Sequence, residues 1–255
     1  MNKFKEPADK TVLLQDQLAL RENQSGLRVM VQKWRSLLFL HFSVEPEIVQ
    51  KTLPKGLTVD TFPDESGREM AWIGLVPFRM EGVRARGLPP IGSNFPETNL
   101  RTYVHHNGRN PGVWFYSLDA ANPLACKVAR ATYGLPYREA KMSVTEKGND
   151  RFYVSSRIKG SAEHHIEATF GEQLGTAEPG TFEFWLLERY ILYSFYRGKL
   201  YRGHVRHVPY PMRSVTVNSI QQTIVQAAGF EPKPFQHAIA SDGVDVDVFL
   251  ITHVG

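Results

Sequence analysis

Read by where its apolar residues fall, the chain is a succession of strand-like runs broken by a few short helical ones. The most legible stretch is ETNLRTYV, residues 97–104. Alternation there puts Glu97, Asn99, Arg101 and Tyr103 on one face and Thr98, Leu100, Thr102 and Val104 on the other. The run HNGRNPG is turn chemistry, and a second strand over 112–118 completes a hairpin. Asn122-Pro123 then marks a helix start, since Asn accepts an orphan amide hydrogen bond and proline has no donor to leave unpaired. Leu124, Val128 and Ala131 keep helical spacing, and Gly134 stands where such a helix stops. A strand resumes over 135–144, with Tyr137, Glu139 and Lys141 on one face and Arg138 on the other.

The same reading places strands at 34–42, 57–62, 70–80, 151–158, 164–170, 191–196, 199–207 and 244–252. Helices are expected at 10–22, 46–51, just after Thr181 and over 218–228, the last closed by Gly229. In 70–80 the apolar residues occupy both faces, as in a strand buried on two sides. In VDVDVFLIT the pattern turns Asp245 and Asp247 away from Val244, Val246 and Val248. Residues 82–96 form a long Gly/Pro/Arg loop, read either as a binding loop with Arg84 and Arg86 or as an exposed connector with solvated arginines. Residues 1–30 read as an N-terminal arm that lies over the rest or is partly disordered, and residues 31–255 as one domain, with no repeat and no internal linker.

Composition narrows the function classes. Of 255 residues, 42% are hydrophobic and 11% aromatic, enough for a substantial core. The net charge of +4 is mild and its basic residues are scattered, so no nucleic-acid partner is expected. The single cysteine, Cys126, excludes an internal disulfide and reads as a buried inert thiol. No apolar run approaches the ~18 residues of a membrane span, and the charged N-terminal segment lacks an apolar signal core, so a soluble cytoplasmic protein is expected. His105-His106 and His164-His165 are adjacent pairs, which point to opposite faces of a strand, and no ligand set completes them, so no metal and no cofactor is expected. Nucleotide-binding glycine motifs and a Gly-x-Ser-x-Gly elbow are absent.

ETNLRTYV, GVWFYSLDA, Ala129-Arg130 and YGLPYREAKM, together with WRSLLFLHF, AWIGLVPFRM, ERYILYS and HVPYPM, resemble in order the YqjF-like family of uncharacterised bacterial proteins. That family is more distantly similar to the acetoacetate decarboxylase superfamily. The resemblance implies a mainly β (α+β) fold: one antiparallel closed β-barrel of the acetoacetate decarboxylase-like type with a few flanking short helices. It also implies homo-oligomeric assembly, with no symmetry fixed. The decarboxylases carry an early-strand glutamate, to which Glu97 is similar in placement, and a Gly-x-Pro-Lys-Lys run whose first lysine forms a Schiff base. Here the comparable run is Gly134-Leu-Pro-Tyr-Arg, so Tyr137 and Arg138 stand at the lysine positions. Tyrosine forms no imine and arginine is a permanent cation, so the superfamily's Schiff-base chemistry does not carry over and at most its cavity does.

Two functional readings follow. In one, the protein binds a small carboxylate- or carbonyl-bearing molecule, with Arg101 or Arg138 gripping the carboxylate and Glu97, Asn99 and Tyr103 completing the lining. In the other it is an enzyme acting on an oxo acid, with Glu97 as general acid/base, Tyr137 polarising the carbonyl and Lys141 replacing the lost nucleophile. Lys141 lies four residues beyond the superfamily's lysine, more than ~10 Å along a strand. A packed barrel without a ligand is the bland alternative, and the polar face of 97–104 also suits a solvated sheet surface.

Overall fold

The computed structural model describes residues 9–22, 26–87 and 94–254, so the centre of the expected 82–96 loop lies outside the described residues. The chain is mainly β with five helices among the described residues. In order it runs α1 (Lys10–Glu22), β1 (Arg28–Val44), α2 (Pro46–Gln50), β2 (Leu57–Val59), β3 (Phe62–Pro63), β4 (Glu69–Ala85), β5 (Phe95–His106) and β6 (Arg109–Ala120). Then come α3 (Pro123–Tyr133), β7 (Tyr137–Lys147), β8 (Asp150–Arg157), β9 (Glu163–Gly175), α4 (Phe182–Leu187), β10 (Ile191–Tyr196), β11 (Lys199–Arg206), β12 (Met212–Gln222), α5 (Ile224–Ala227), β13 (His237–Phe249) and β14 (Thr252–His253).

Strand pairing returns on itself. From β6 the order is β7, β8, β9, β12, β13, β1, β4 and β5, and β5 pairs back onto β6. A second loop of pairings leaves β6 through β10 and β11 and rejoins at β13. Strands β13, β1, β4, β5 and β6 therefore form a wall common to both loops. That is why the middle of β1 and of β4 is apolar on both faces. One face of the wall, with Leu37, Phe39, Val76, Phe78 and Tyr103, belongs to a core cluster completed by Phe184, Trp185, Leu186 and Leu187 around α4. The alternate residues Leu38, Leu40, Phe42, Ile73, Leu75 and Leu100 belong to a second cluster closed by Ile224, Val225 and Phe230.

Turn chemistry sets the registers. Asn107 (φ 52) and Gly108 (φ 73) make the two-residue β5–β6 turn, and Arg197 (φ 50) with Gly198 (φ 76) does the same for β10–β11. Asn122 Oδ1 accepts from the Ala125 amide at 3.0 Å, and Gly134 ends α3 in the left-handed conformation. The arm residues include α1, which docks on the wall: Asp16 accepts from Arg109 Nε at 2.9 Å and from the Asn110 amide at 2.8 Å.

Two expectations are corrected. The sheet is not purely antiparallel, because β6 pairs in parallel with β7 and with β10; the first pairing follows from α3 carrying the chain back across before β7 starts. The expected helix over 218–228 is strand as far as Gln222. Ser219, Ile220, Gln221 and Gln222 pair with β9, and only Ile224–Ala227 is helical. Long-range pairing by β-branched Val215, Thr216, Val217 and Ile220 outweighs the helix-forming Gln and Ala residues that follow.

Candidate functional site

On β5, Glu97, Asn99, Arg101 and Tyr103 are all buried, in one row facing the α4 side. Their β4 neighbours are Phe78 opposite Glu97, Val76 opposite Asn99 and Gly74 opposite Arg101. Gly74 leaves room that the site uses: a Cβ there would sit 3.1 Å from the His41 ring and 3.3 Å from the Tyr103 hydroxyl. On β6 the small Ala120 lies opposite Glu97, with Leu118 opposite Asn99.

At one end of the row the Tyr137 hydroxyl donates to Glu97 Oε2 at 3.1 Å. The parallel register of β7, with Tyr137 opposite Leu118, brings it there. Burial pushes the Glu97 carboxyl up to about 8; the nearby Asp119 charge adds to this and the Tyr137 hydrogen bond opposes it. At neutral pH the carboxyl is largely protonated and offers an O–H donor beside an acceptor. Burial and the same glutamate hold the Tyr137 hydroxyl well above its ordinary range. Cys126, buried on α3, contacts the Ala120 and Arg138 carbonyls at 3.8 and 3.7 Å, and burial with Glu97 nearby pushes its thiol up to about 11. That is an inert structural thiol.

At the other end stands Arg101, 9% exposed, with its guanidinium carbon 5.6 Å from the ring centres of both Phe39 and Tyr103. It has no carboxylate partner among the described residues. The other buried arginines do: Arg189 pairs with Asp60 at 2.8 Å and Arg151 with Glu146 at 3.7 Å. Arg101 Nε and Asn99 Oδ1 are both buried without a hydrogen-bond partner. Each such group costs roughly 1–3 kcal/mol, and here a donor and an acceptor sit on consecutive inward positions of one strand. The row is thus two polar ends, four residues and ~13 Å of strand apart, with Asn99 between them.

The structure brings together five of the seven residues singled out from the sequence: Glu97, Asn99, Arg101, Tyr103 and Tyr137. Arg138 and Lys141 are exposed and do not join them. Arg138 alternates away from Tyr137. Lys141, though in phase with Tyr137, sits farther along β7 opposite Ser156, where the strand is no longer covered. Every described lysine is exposed, so no described lysine is buried beside the row. Sequence reasoning missed His41, His207, Tyr210 and the Asp60–Arg189 pair, all buried near Arg101 or Tyr103. The one available signal was His41, a lone imidazole in the otherwise apolar WRSLLFLHF. Among the described residues no group of His, Cys, Asp and Glu is placed to hold a metal ion, and no helix is long and apolar enough to cross a membrane.

The model of a family described as an uncharacterized conserved protein, DUF2071, matches residues 31–245. The chain belongs to this family. It is 37% identical over 219 residues to the uncharacterized protein YqjF of Bacillus subtilis (strain 168), covering 83% of this chain and 88% of that one. Among solved structures it is similar to the enduracididine biosynthesis enzyme MppR complexed with pyruvate, with a TM-score of 0.62, 11% identity and coverage of 91% of this chain and 92% of that one. It is similar as well to acetoacetate decarboxylase from Legionella pneumophila subsp. pneumophila str. Philadelphia 1, with a TM-score of 0.61, 11% identity and coverage of 97% and 98%. At that identity the likeness is one of fold, and the fold of this DUF2071 member is of the acetoacetate decarboxylase-like kind.

Proposed function

We propose that the protein binds a small oxo acid or similar carboxylate against the buried row of β5, inside a closed β-barrel formed by the returning strand pairings. The observation that carries this reading is Arg101, a buried guanidinium with no carboxylate partner among the described residues. A permanent cation in a dry site is costly unless paired, and a ligand carboxylate supplies the missing charge. The Asn99 oxygen, one step along the row, accepts from a hydroxyl or hydrate of the same ligand. The pyruvate in the MppR complex, seen on the same fold, supports a ligand of this size and class.

Isothermal titration with pyruvate and with its neutral analogue pyruvamide tests this. Pyruvate is expected to bind and pyruvamide not. Arg101→Gln is expected to weaken pyruvate tenfold or more, since hydrogen bonds to charged groups contribute about 1.5–3 kcal/mol. Equal affinity for both compounds, or an unaffected variant, overturns the reading.

A second reading rests on Glu97. A carboxyl poised near 8 beside a tyrosine suits proton transfer at a carbon next to a carbonyl, which makes the protein an enzyme acting without a Schiff base. Exchange of the pyruvate methyl protons in D2O, followed by NMR, tests it. Exchange that is catalysed by the wild type and abolished in Glu97→Gln supports it; no catalysed exchange sinks it.

A further inference from the structure

A line of hydrogen-bonded side chains leads away from the row. The Tyr103 hydroxyl lies 2.8 Å from His41 Nε2, and His41 Nδ1 lies 3.2 Å from Nδ1 of His237. His237 Nε2 in turn lies 3.5 Å from Glu183 Oε1. Burial decreases along this line. Tyr103 and His41 are fully buried, the His237 side chain is 16% exposed and that of Glu183 36%. His237 also lines a surface pocket of about 530 Å³ together with Lys233, Gln236 and Phe235.

We propose that Tyr103, His41, His237 and Glu183 form a proton-transfer chain joining the Arg101 end of the buried row to the surface. The role of the inner end rests on the ligand reading above; the chain itself does not.

The donors settle its direction. Glu183 in its ionised form only accepts, so His237 presents Nε2–H to it and leaves Nδ1 bare. His41 then donates Nδ1–H to His237, its Nε2 is bare, and Tyr103 donates to it. Every link is satisfied with both imidazoles neutral. When a ligand acid or a water passes a proton to the Tyr103 oxygen, the hydroxyl proton moves to His41 Nε2 and the His41 Nδ1 proton moves to His237 Nδ1. One proton has entered and none is lost: Tyr103 is again neutral, His41 is neutral in its other tautomer, and His237 is an imidazolium beside the Glu183 carboxylate. Tyr103 now accepts from His41, and its own O–H is free to donate to whatever lies beside Arg101.

The charges around the chain favour this order. His41 faces His237 on β13 and Tyr103 and Arg101 on β5, and burial together with the His237 and Arg101 charges holds it well below the ordinary histidine range. Arg189, paired with Asp60, lies with its guanidinium 5.1 Å from the Tyr103 ring centre and adds no negative charge. His237 is lowered by burial, but Glu183 from α4 raises it. The proton therefore rests at the outer ring.

The test needs no ligand. In wild-type protein with 15N-labelled histidine, two-bond 1H–15N correlations are expected to show His41 as the Nδ1–H tautomer and His237 as Nε2–H at pH 8. On acidification, protonation of His237 and the switch of His41 to Nε2–H are expected at one shared midpoint. Separate midpoints, or a His41 that keeps Nδ1–H when His237 is charged, overturn the proposal. Glu183→Gln, at a half-exposed position, is expected to lower the shared midpoint by up to about one pH unit; an unmoved midpoint removes Glu183 from the chain. Adding pyruvate is expected to raise the midpoint, because its carboxylate offsets Arg101. If pyruvate binds without moving it, the chain does not serve the site. If pyruvate does not bind, the reading of Arg101 falls, and the ligand-free titration still decides the chain.

Discussion

The Tyr137 hydroxyl rests 3.1 Å from a Glu97 carboxyl oxygen, although the two residues lie on strands that are not paired with each other. β6 stands between them, and the small Ala120 on it allows Tyr137 to reach across. The contact is a test of whether the row on β5 is as dry as the structure makes it.

Glu97 sets a pH dependence of stability. An unfolded carboxyl titrates near 4.5 and the folded one near 8. Between those values the folded chain holds more protons than the unfolded one, so stability falls as pH rises, by at most about 1.4 kcal/mol per pH unit. The contribution is complete below about 4.5 and gone above about 8. Glu97→Gln keeps an acceptor for Tyr137 and cannot ionise. Urea unfolding from pH 5 to 9 is expected to show a smaller alkaline loss in the variant than in the wild type.

Asp60 and Arg189 form an ion pair with both side chains 1% exposed, and Asp60 Oδ2 accepts in addition from Trp185 Nε1 at 3.0 Å. Asp60→Asn leaves the guanidinium buried against a neutral amide. A loss of about 3–5 kcal/mol in unfolding free energy is expected, far more than for Arg68→Gln, whose partner Glu45 is exposed with it.

Gly112 sits on β6 where β10 approaches in parallel. A Cβ at this position would lie 2.6 Å from the Ile191 carbonyl oxygen, a backbone atom with no freedom to turn aside. Gly112→Ala is expected to cost roughly 1–3 kcal/mol, as overpacked cores do. Amide exchange should speed up in β10 and β11 and not in β8 and β9.

The lysines bear on Schiff-base chemistry. Since every described lysine is exposed, treatment with pyruvate and borohydride is expected to leave the intact mass of the protein unchanged, in wild type and in Lys141→Arg alike. A stoichiometric adduct lost in Lys141→Arg would restore Lys141 to the site.

Strand alternation alone located most of the row. Glu97, Asn99, Arg101 and Tyr103 share a face because the period of two is uninterrupted on β5, and Gly134-Leu-Pro delivered Tyr137 to the right strand. Alternation did not say which face was buried. Both are, since β5 lies in the wall between two cores, and a polar row there looks the same in sequence as a solvated one. The exposed placement of Arg138 and Lys141 and the strand within 218–228 have a related origin. How far a strand stays covered depends on what packs over it, and whether a Gln-rich segment finds a partner such as β9 depends on residues 50 or more positions away. His41, His237 and Glu183 meet from three distant segments, so nothing local marks them as a group.

The wall has a consequence for how the protein is made. Each β1–β13 partner pair, from Arg28 with Phe249 to His41 with His237, joins residues more than 190 positions apart. At 5–20 residues per second, β13 leaves the ribosome roughly 10–40 s after β1. Because β13 belongs to both loops of strand pairing, one late seam closes two cores at once. Until it does, the nascent chain holds both open along the same edge, and a chaperone that shields the free side of β1 protects them together.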